Sequence, residues 1–245
     1  MTDFASYTDS VLSALIFNPR AKDVIAKKQE ILDGVYLANN FVPDIILFVG
    51  FSPSILSCTA NNISVTAISQ AARDYIKSQG IKFTYIPLDE ISNCTKHFEV
   101  VVAFDEFFTF AESDIDQQNS VRIICSAATE FVISTLRDYK NQDFKDREFS
   151  LPAVIRNTVG SKIYAEYHDW DLKDRTLWNT MVYEIENPIG ALTAYGAFER
   201  RTMYFKQLAK FSMDAGATDF VVHKNLMYKS LIKKNYEHMV SIRFK

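Results

Sequence analysis

The sequence is poor in glycine and in cysteine. Of its 245 residues, 7 are glycine and 3 are cysteine, so most loops must be shaped by other residue types. The cysteines, Cys58, Cys94 and Cys125, are odd in number and form no C-x-x-C pair. This pattern excludes a disulfide framework, argues against a zinc site and favours a reducing compartment.

Segments that would direct the chain to a membrane are also missing. No apolar run approaches the roughly 20 residues that a membrane-spanning helix requires. The opening stretch MTDFASYTDS contains acidic residues and lacks the basic start of a secretory signal. We therefore expect a cytoplasmic protein with no membrane partner.

The charge balance is nearly neutral, with a formal net charge of −3. A dominant positive field is absent, so a general nucleic-acid binder is not expected. Only the stretch from Arg200 to Lys245 is locally basic, and there lysines surround Met227-Tyr228 and Tyr236. Such a mixture can bind nucleic acid, but a solvated surface is the simpler interpretation.

Composition and pattern indicate a globular chain that starts with helices. Hydrophobic residues make up 48% of the sequence and charged residues 23%, which is enough apolar material for a full core. An apolar patch at Val11–Ile16 predicts a first helix, and Asn18-Pro19 interrupts it. Helical spacing predicts a second helix from Ala21 to Asn39, and Pro43 begins extended chain.

From residue 44 the sequence alternates short apolar runs with helical segments. Ser69 is a candidate N-cap for a helix that ends at Gly80, and a further helix is predicted over 112–128. The runs are typical of strands buried on both faces of a parallel sheet, joined by right-handed crossovers. These strands are predicted at 44–49, 63–68, 81–86, 98–104 and 130–136.

Residues 139–199 have a different pattern, because apolar and polar residues alternate there as in antiparallel strands. The sheet pattern then resumes with a helix over 204–215 and strands at 219–223 and 238–244. We predict an α/β fold with a doubly wound, mostly parallel seven-stranded sheet, helices on both faces and an antiparallel β insertion after strand five. The predicted parts are an N-terminal helical segment (1–42), the sheet domain (43–138 and 200–245) and the insertion or cap (139–199).

Two segments carry a resemblance to a known family. RRTMYFKQLAKFSMDAGATDFVVHKN, with its helix ending at Asp214-Ala215-Gly216-Ala217, and FEVVVAFDEFFTF, with Asp105-Glu106 after the strand, resemble class I S-adenosylmethionine-dependent methyltransferases. In that family a helix ending in a similar sequence precedes the sixth strand, and several members place a substrate cap after strand five. The resemblance implies S-adenosylmethionine as cofactor and a small-molecule methyl acceptor.

The resemblance also implies where the cofactor would bind. Family members carry an acidic residue and a glycine-rich loop at the end of strand one. In this chain Phe48 stands at the position of the acid, and Gly50 is the one glycine that matches the loop. The carboxylate expected at the end of strand two is replaced by Ala67. The cofactor-binding candidates therefore lie at the carboxyl ends of the predicted strands: Gly50, Phe51, Ser52, Ser69, Asp89, Asp105 and Glu106.

The insertion supplies the candidates for chemistry. Its densest polar and aromatic cluster surrounds His168, whose unperturbed pKa near neutrality suits a general base. Strand alternation places Glu166 and His168 on one face and Asp169 on the other. Tyr164 and Glu166 are the substrate-binding candidates there, and the pair Arg200 and Arg201 is a candidate for holding a substrate carboxylate or phosphate.

Other enzyme classes lack their motifs. The sequence has no G-x-S-x-G elbow, no P-loop and no G-x-G-x-x-G after the first strand, which disfavours hydrolases, P-loop nucleotidases and nicotinamide dehydrogenases. His223 and His238 have no nearby thiols, so no metal site is predicted. Two hypotheses remain. The chain is a methyltransferase acting on a small molecule, or it is an inactive methyltransferase-like fold that serves as a binding or assembly module. A homodimer of this chain is one assembly that we consider.

Overall fold

A computed structural model describes most of the chain. It covers residues 4–5, 21–104, 106–139, 147–149, 153–157, 160–171, 176–187, 190–223, 227–229 and 234–245. The predicted first helix around Val11–Ile16 and the candidate Asp105 lie outside the described residues. Within the described part, no helix has the length and apolar character needed to cross a membrane.

The main sheet contains the predicted α/β core. Its strand order is β11-β13-β5-β4-β1-β2-β3, with β12 paired to β13. Strands β1 to β5 pair in parallel, whereas β13 lies antiparallel between β5 and β11. The predicted doubly wound, mostly parallel seven-stranded sheet is confirmed along this path. The strands are β1 (Ile45–Val49), β2 (Asn62–Thr66), β3 (Thr84–Tyr85), β4 (Phe98–Ala103), β5 (Ala128–Arg137), β11 (Asp219–His223), β12 (Met227–Lys229) and β13 (Lys234–Arg243).

In the part of the chain that the structure describes, four helices cover this sheet: α1 (Ala21–Ala38), α2 (Gln70–Ser78), α3 (Asp114–Ala127) and α4 (Phe205–Asp214). The Ser69 hydroxyl accepts a hydrogen bond from the Ala72 amide at 3.0 Å, which confirms the predicted N-cap of α2. Gly80 ends that segment with a positive φ of 79°, a conformation that favours glycine.

The central strands are apolar because both sheet faces are covered. Ile46 and Phe48 belong to a core cluster with residues of α1 and α2. Leu47 and Val49 belong to a second cluster, which includes residues of α3 and α4. This alternation follows from the period of two along a strand, and it explains why β1 reads as an unbroken apolar run.

The insertion forms a separate five-stranded antiparallel sheet. The order is β10-β9-β8-β6, with β7 also paired to β8. The polar and apolar alternation of this stretch therefore predicted the correct pairing type. We call this the insertion sheet, with strands β6 (Arg147–Phe149), β7 (Ala153–Asn157), β8 (Gly160–Asp171), β9 (Thr176–Asn187) and β10 (Gly190–Arg201).

Several boundaries differ from the sequence predictions. The third strand, predicted over 81–86, pairs only at Thr84 and Tyr85, because it is the outermost strand and has a partner on one side alone. The last strand begins at Lys234 rather than at 238, since it also pairs with β12. Strand β5 runs from Ala128 to Arg137, longer than predicted at both ends.

Candidate functional site

The strand order creates a switch point between β1 and β4. The chain moves from β1 outward to β2 and β3, then crosses back to place β4 on the opposite side of β1. In open α/β sheets, ligands bind outside the carboxyl ends of the strands at such a point. Gly50 directly follows β1, and Glu106 follows β4 by a short link. We call the region between these two loops the switch-point crevice.

Gly50 makes the turn that leaves β1. Its φ is +77°, in the left-handed region where a side chain is disfavoured. Its amide donates to the Thr66 carbonyl at 2.8 Å, which joins the end of β1 to the end of β2. The single glycine retained in this loop therefore stands where the backbone geometry requires it.

Phe48 occupies the position where the resemblance leads us to expect an acid. It is 1% exposed and belongs to the cluster under α1 and α2. Phe51 is also 1% exposed, and its ring meets that of Tyr75 on α2 edge-to-face, with centroids 6.0 Å apart. The two phenylalanines thus extend the apolar core up to the carboxyl end of β1, and they place no charge there.

Hydroxyl groups are the polar side chains at the carboxyl ends of β1 and β2 in the part of the chain described. Ser52 Oγ accepts a long hydrogen bond from the Ser54 amide at 3.4 Å and caps the 3₁₀ turn Pro53–Ser57. The hydroxyls of Ser54 and Thr66 are buried without a hydrogen-bond partner among the described residues. Both hydroxyls lie close to the carboxyl ends of β1 and β2, and both side chains are buried, at 1% and 0% exposure.

The end of β2 lacks the carboxylate that the resemblance leads us to expect, and its backbone conformation is also unusual. Ala67 has a φ of +52°, a left-handed conformation that costs a non-glycine residue about 1 kcal/mol. Strain of this kind concentrates at ligand sites. Ser69, two residues later, uses its hydroxyl to cap α2.

The acidic candidates are distributed unequally. Asp89 is exposed in the first turn of the 3₁₀ segment Leu88–Asn93, beyond the end of β3. Glu106, in contrast, is buried at 3% exposure with a φ of +58°. Among the described residues, no group of three or more His, Cys, Asp or Glu side chains is arranged to hold a metal ion.

Glu106 is the centre of a buried polar network. Its Oε1 accepts from the Tyr139 hydroxyl at 2.5 Å and from the Arg137 amide at 3.3 Å. Its Oε2 lies 3.1 Å from Arg200 Nη1 and 3.3 Å from Arg137 Nη2. The network joins the end of β4 to the end of β5 and to the end of β10.

The network fixes the protonation of both acidic groups. Burial alone would raise the pKa of Glu106, but Arg137, Arg200 and the Tyr139 hydrogen bond lower that pKa below its usual value of 4.5. Burial and the Glu106 charge raise the pKa of Tyr139 well above its ordinary value. Near neutral pH the carboxylate is therefore ionised, and Tyr139 is a neutral donor to it.

The two adjacent arginines have different partners. Arg200 is 1% exposed and reaches Glu106, and its guanidinium carbon lies 5.5 Å from the ring centre of Phe110. Arg201 is partly exposed, and its Nε lies 2.6 Å from Asp114 on α3. Their predicted role in holding a substrate anion stays a prediction.

The register of the insertion sheet places its candidate residues relative to Arg200. Trp170 pairs with Leu177, which pairs with Arg200, while His168 is in the next row of that face with Asn179 and Phe198. Since alternate residues of a strand share a face, Tyr164, Glu166 and His168 lie on the same face of the sheet as Arg200. The side chains of these three candidates lie outside the described part, so their roles stay predictions.

Comparison with known proteins identifies the fold. No family model and no curated protein matches the sequence. Solved structures match over almost the whole chain, and they define the class I S-adenosylmethionine-dependent methyltransferase fold, as the sequence pattern predicted.

Three neighbours illustrate the match. The sugar N-methyltransferase KedS8 from Streptoalloteichus gives a TM-score of 0.73 at 10% identity, covering 95% of this chain and 92% of that chain. DesVI from Streptomyces venezuelae gives 0.72 at 11% identity, covering 94% and 96%. CalS10, an amino pentose methyltransferase from Micromonospora echinaspora solved with S-adenosylmethionine bound, gives 0.68 at 9% identity, covering 96% and 97%.

Sequence reasoning found Glu106 and Arg200 separately but missed that they meet. It also missed Arg137 and Tyr139, which complete the network. The partners are 31 to 94 residues apart along the chain, so no local spacing connects them. The available signal was the position of each residue, since all four stand just beyond strand ends or at the last residues of a strand.

Proposed function

We propose that this protein binds S-adenosylmethionine in the switch-point crevice and transfers its methyl group to a small molecule held beneath the insertion sheet. The observation that carries the proposal is the contact between Arg200 and Glu106. It sets the last strand of the insertion sheet directly at the carboxyl end of β4. A crevice with an antiparallel sheet above it is the arrangement in which a cofactor and a small acceptor can be brought together and shielded from water.

The residues around the crevice fit the cofactor in a form that relies on hydroxyls. Gly50 would let the backbone approach the amino-acid part, and the hydroxyls of Ser54 and Thr66 would have to turn toward the cofactor to supply hydrogen bonds where carboxylates are absent. The other contacts we propose come from Phe51, Ser52, Ser69, Asp89 and Asp105. Glu106 is not among them, because its carboxylate is buried against Arg137, Arg200 and Tyr139. When bound, the cofactor supplies an electrophilic methyl group on its sulfonium, so the protein has mainly to orient the acceptor and exclude water.

The insertion sheet would provide the acceptor site. We assign the removal of a proton from the acceptor to His168, because a nitrogen nucleophile must lose its proton to attack and imidazole titrates near neutral pH. Glu148 pairs with His168 in the register, and Glu166 is one row away on the same face. Two carboxylates near an imidazole would favour a cationic amine, and two of the structural neighbours are described as an amino-sugar or sugar N-methyltransferase.

A second function is favoured by one specific observation. Both carboxylate positions of the family pattern are occupied by apolar residues, and Phe48 is integrated into the core rather than left facing a cavity. An inactive fold that serves as a binding or assembly module would have this composition. A stable homodimer that closes the crevice would support this alternative.

Calorimetric titration with S-adenosylmethionine, and separately with S-adenosylhomocysteine, tests the proposal. We expect binding at about micromolar dissociation constant, equivalent to roughly 8 kcal/mol, and its loss in Gly50→Trp. Gly80→Trp is the matched control, because Gly80 has a similar φ of 79° and lies at the end of α2 with open space around it. Absence of both heat and thermal stabilisation at millimolar ligand in the unmodified protein would reject the cofactor site.

A further inference from the structure

The insertion leaves the main sheet after β5 and returns to it at the end of β10. We call these two junctions the exit root and the return root, and residues of both contact the side chain of Glu106. Arg137 and Tyr139 lie at the exit, and Arg200 lies at the return. All three contact the Glu106 carboxylate at distances of 2.5 to 3.3 Å. Glu106 itself belongs to neither root, because it follows β4.

The roots are buried where they meet Glu106. The side chain of Glu106 is 4% exposed, that of Arg200 is 1% exposed and that of Arg137 is 13% exposed. Burial removes water as a competing partner, so these interactions are directional and sensitive to geometry. A buried ion pair contributes little net stability compared with apolar packing, and its better-supported use is to select one arrangement over others.

The backbone around Glu106 is fixed as well. Its left-handed φ of +58° is maintained by the tight turn that follows, in which the amide and the hydroxyl of Thr109 each donate to the Glu106 carbonyl at 2.8 Å. Strained residues persist only where the surroundings over-determine them. The carboxylate is thus presented to both roots from a rigid point.

A second contact reinforces the return root. Gln117 on α3 donates from Nε2 to the Arg201 carbonyl at 2.7 Å, and Arg201 reaches Asp114 on the same helix. Consecutive residues Arg200 and Arg201 are therefore held from two directions. The exposed Asp114 pair is weak by comparison with the buried one, because solvent screens it.

We infer that Glu106 is a positioning residue that fixes the orientation of the insertion sheet over the switch-point crevice. This inference rests on the proposed function, in which His168 on the insertion sheet must be brought to the cofactor. Glu106 acts through Arg137, Arg200 and Tyr139, and it does not take part in methyl transfer.

The experiment measures the orientation directly. Spin labels are attached at Lys77→Cys and at Asn187→Cys, in a protein that also carries Cys58→Ser and Cys94→Ser. Lys77 is exposed on α2. Asn187 lies at the end of β9 that is farthest from Arg200 in the pairing register. Pulsed electron paramagnetic resonance then gives the distribution of distances between the main sheet and the insertion sheet. Circular dichroism confirms that each variant is folded at the temperature from which samples are frozen.

We expect a single narrow distribution in the otherwise unmodified protein and one at least about twofold broader in Glu106→Gln, since the charge that attracts Arg137 and Arg200 to one point is then lost. Asp114→Asn should leave the width unchanged, although it touches the same root. Tyr139→Phe removes one hydrogen bond, keeps every charge and should give a smaller broadening. If Glu106→Gln does not fold, Tyr139→Phe decides the question, and an unchanged width in the folded variant tested overturns the inference.

Titration of the same labelled proteins with S-adenosylhomocysteine separates this inference from the proposed function. Broadening in Glu106→Gln with nucleoside affinity retained supports both. If the distance distribution broadens in Glu106→Gln but no protein, including the unmodified one, binds S-adenosylhomocysteine, the proposed function is rejected and the positioning role of Glu106 stands. If S-adenosylhomocysteine binds and the distance distribution is unchanged in Glu106→Gln, only the positioning role of Glu106 is rejected.

Discussion

The two sides of the switch-point crevice are built from opposite chemistry. At the carboxyl ends of β1 and β2 the chain places Phe48, Phe51 and Ala67, and the polar side chains described there are the hydroxyls of Ser52, Ser54 and Thr66. After β4 and β5 it buries an ionised carboxylate with two arginines. The same edge of one sheet is therefore apolar and hydroxylic on one side and ionic on the other. The ionic side is the one joined to the insertion sheet through Arg200, and this contrast is the basis for our inference that Glu106 orients that sheet.

The largest expected effect comes from the ionic side. Glu106→Gln should lower the free energy of unfolding by about 3 kcal/mol, because it removes the negative charge from a buried ion-pair network whose arginines stay charged. Asp114→Asn, at an exposed pair, should change it by less than about 1 kcal/mol. Urea denaturation of both variants measures the difference, and equal effects would contradict the contrast drawn between the two pairs.

The same variant should alter the acid dependence of stability. The folded-state pKa of Glu106 is lowered below 4.5, so its contribution is fully present above the unfolded pKa and is lost as the pH falls through the folded pKa. Stability of the unmodified protein should therefore fall more steeply below about pH 4.5 than that of Glu106→Gln. Parallel pH profiles for the two proteins would show that folding does not lower the pKa of Glu106.

A smaller effect is expected from restoring charge to the apolar side. Ala67→Asp puts a carboxylate at the end of β2, in a left-handed conformation that Asp tolerates. Under the proposed function, the affinity for S-adenosylhomocysteine should rise about tenfold, or roughly 1.4 kcal/mol, from a charge-assisted hydrogen bond. Ala67→Asn is the matched neutral control in calorimetry. Equal affinities for the Asp and Asn variants would mean that no ribose hydroxyl lies at this position.

The smallest effect concerns the backbone at the same residue. Ala67→Gly should raise the free energy of unfolding by about 0.5 kcal/mol, because relief of left-handed strain exceeds the added entropy of the unfolded chain. Ala60→Gly, at a residue without positive φ, should lower it by a similar amount. Thermal denaturation of both variants measures the sign, and destabilisation by Ala67→Gly would show that the strain estimate is too high.

The sequence predicted those features that depend on local pattern. The strands around Ile45–Val49 and Phe98–Ala103 were recognisable because burial on both faces leaves a continuous apolar run. The cap at Ser69 and the stop at Gly80 follow from local chemistry that survives in the fold. The short third strand could not be predicted, because its pairing depends on its position at the sheet edge rather than on its own residues.

The polar network lay beyond such reasoning for a physical reason. Glu106 was placed near the cofactor because it follows a strand, and Arg200 was assigned to a substrate anion because it stands beside Arg201. Neither position reveals that the fold brings them within 3.1 Å. A glutamate between Asp105 and Phe107 is indistinguishable, in sequence, from a glutamate on a loop surface. Its partners come from the end of β5 and from the return of the chain after the insertion.

The neighbouring arginines at the end of β10 limit how the insertion can change. Arg200 must meet Glu106 on one face, and Arg201 meets Asp114 on the other. Adding or removing one residue within β10 would exchange the two faces and put the wrong arginine toward the carboxylate. Length variation should therefore be tolerated at the distant hairpin between Asn187 and Gly190 or occur in steps of two residues. The insertion can be remodelled from its far end while the end above the crevice keeps its register.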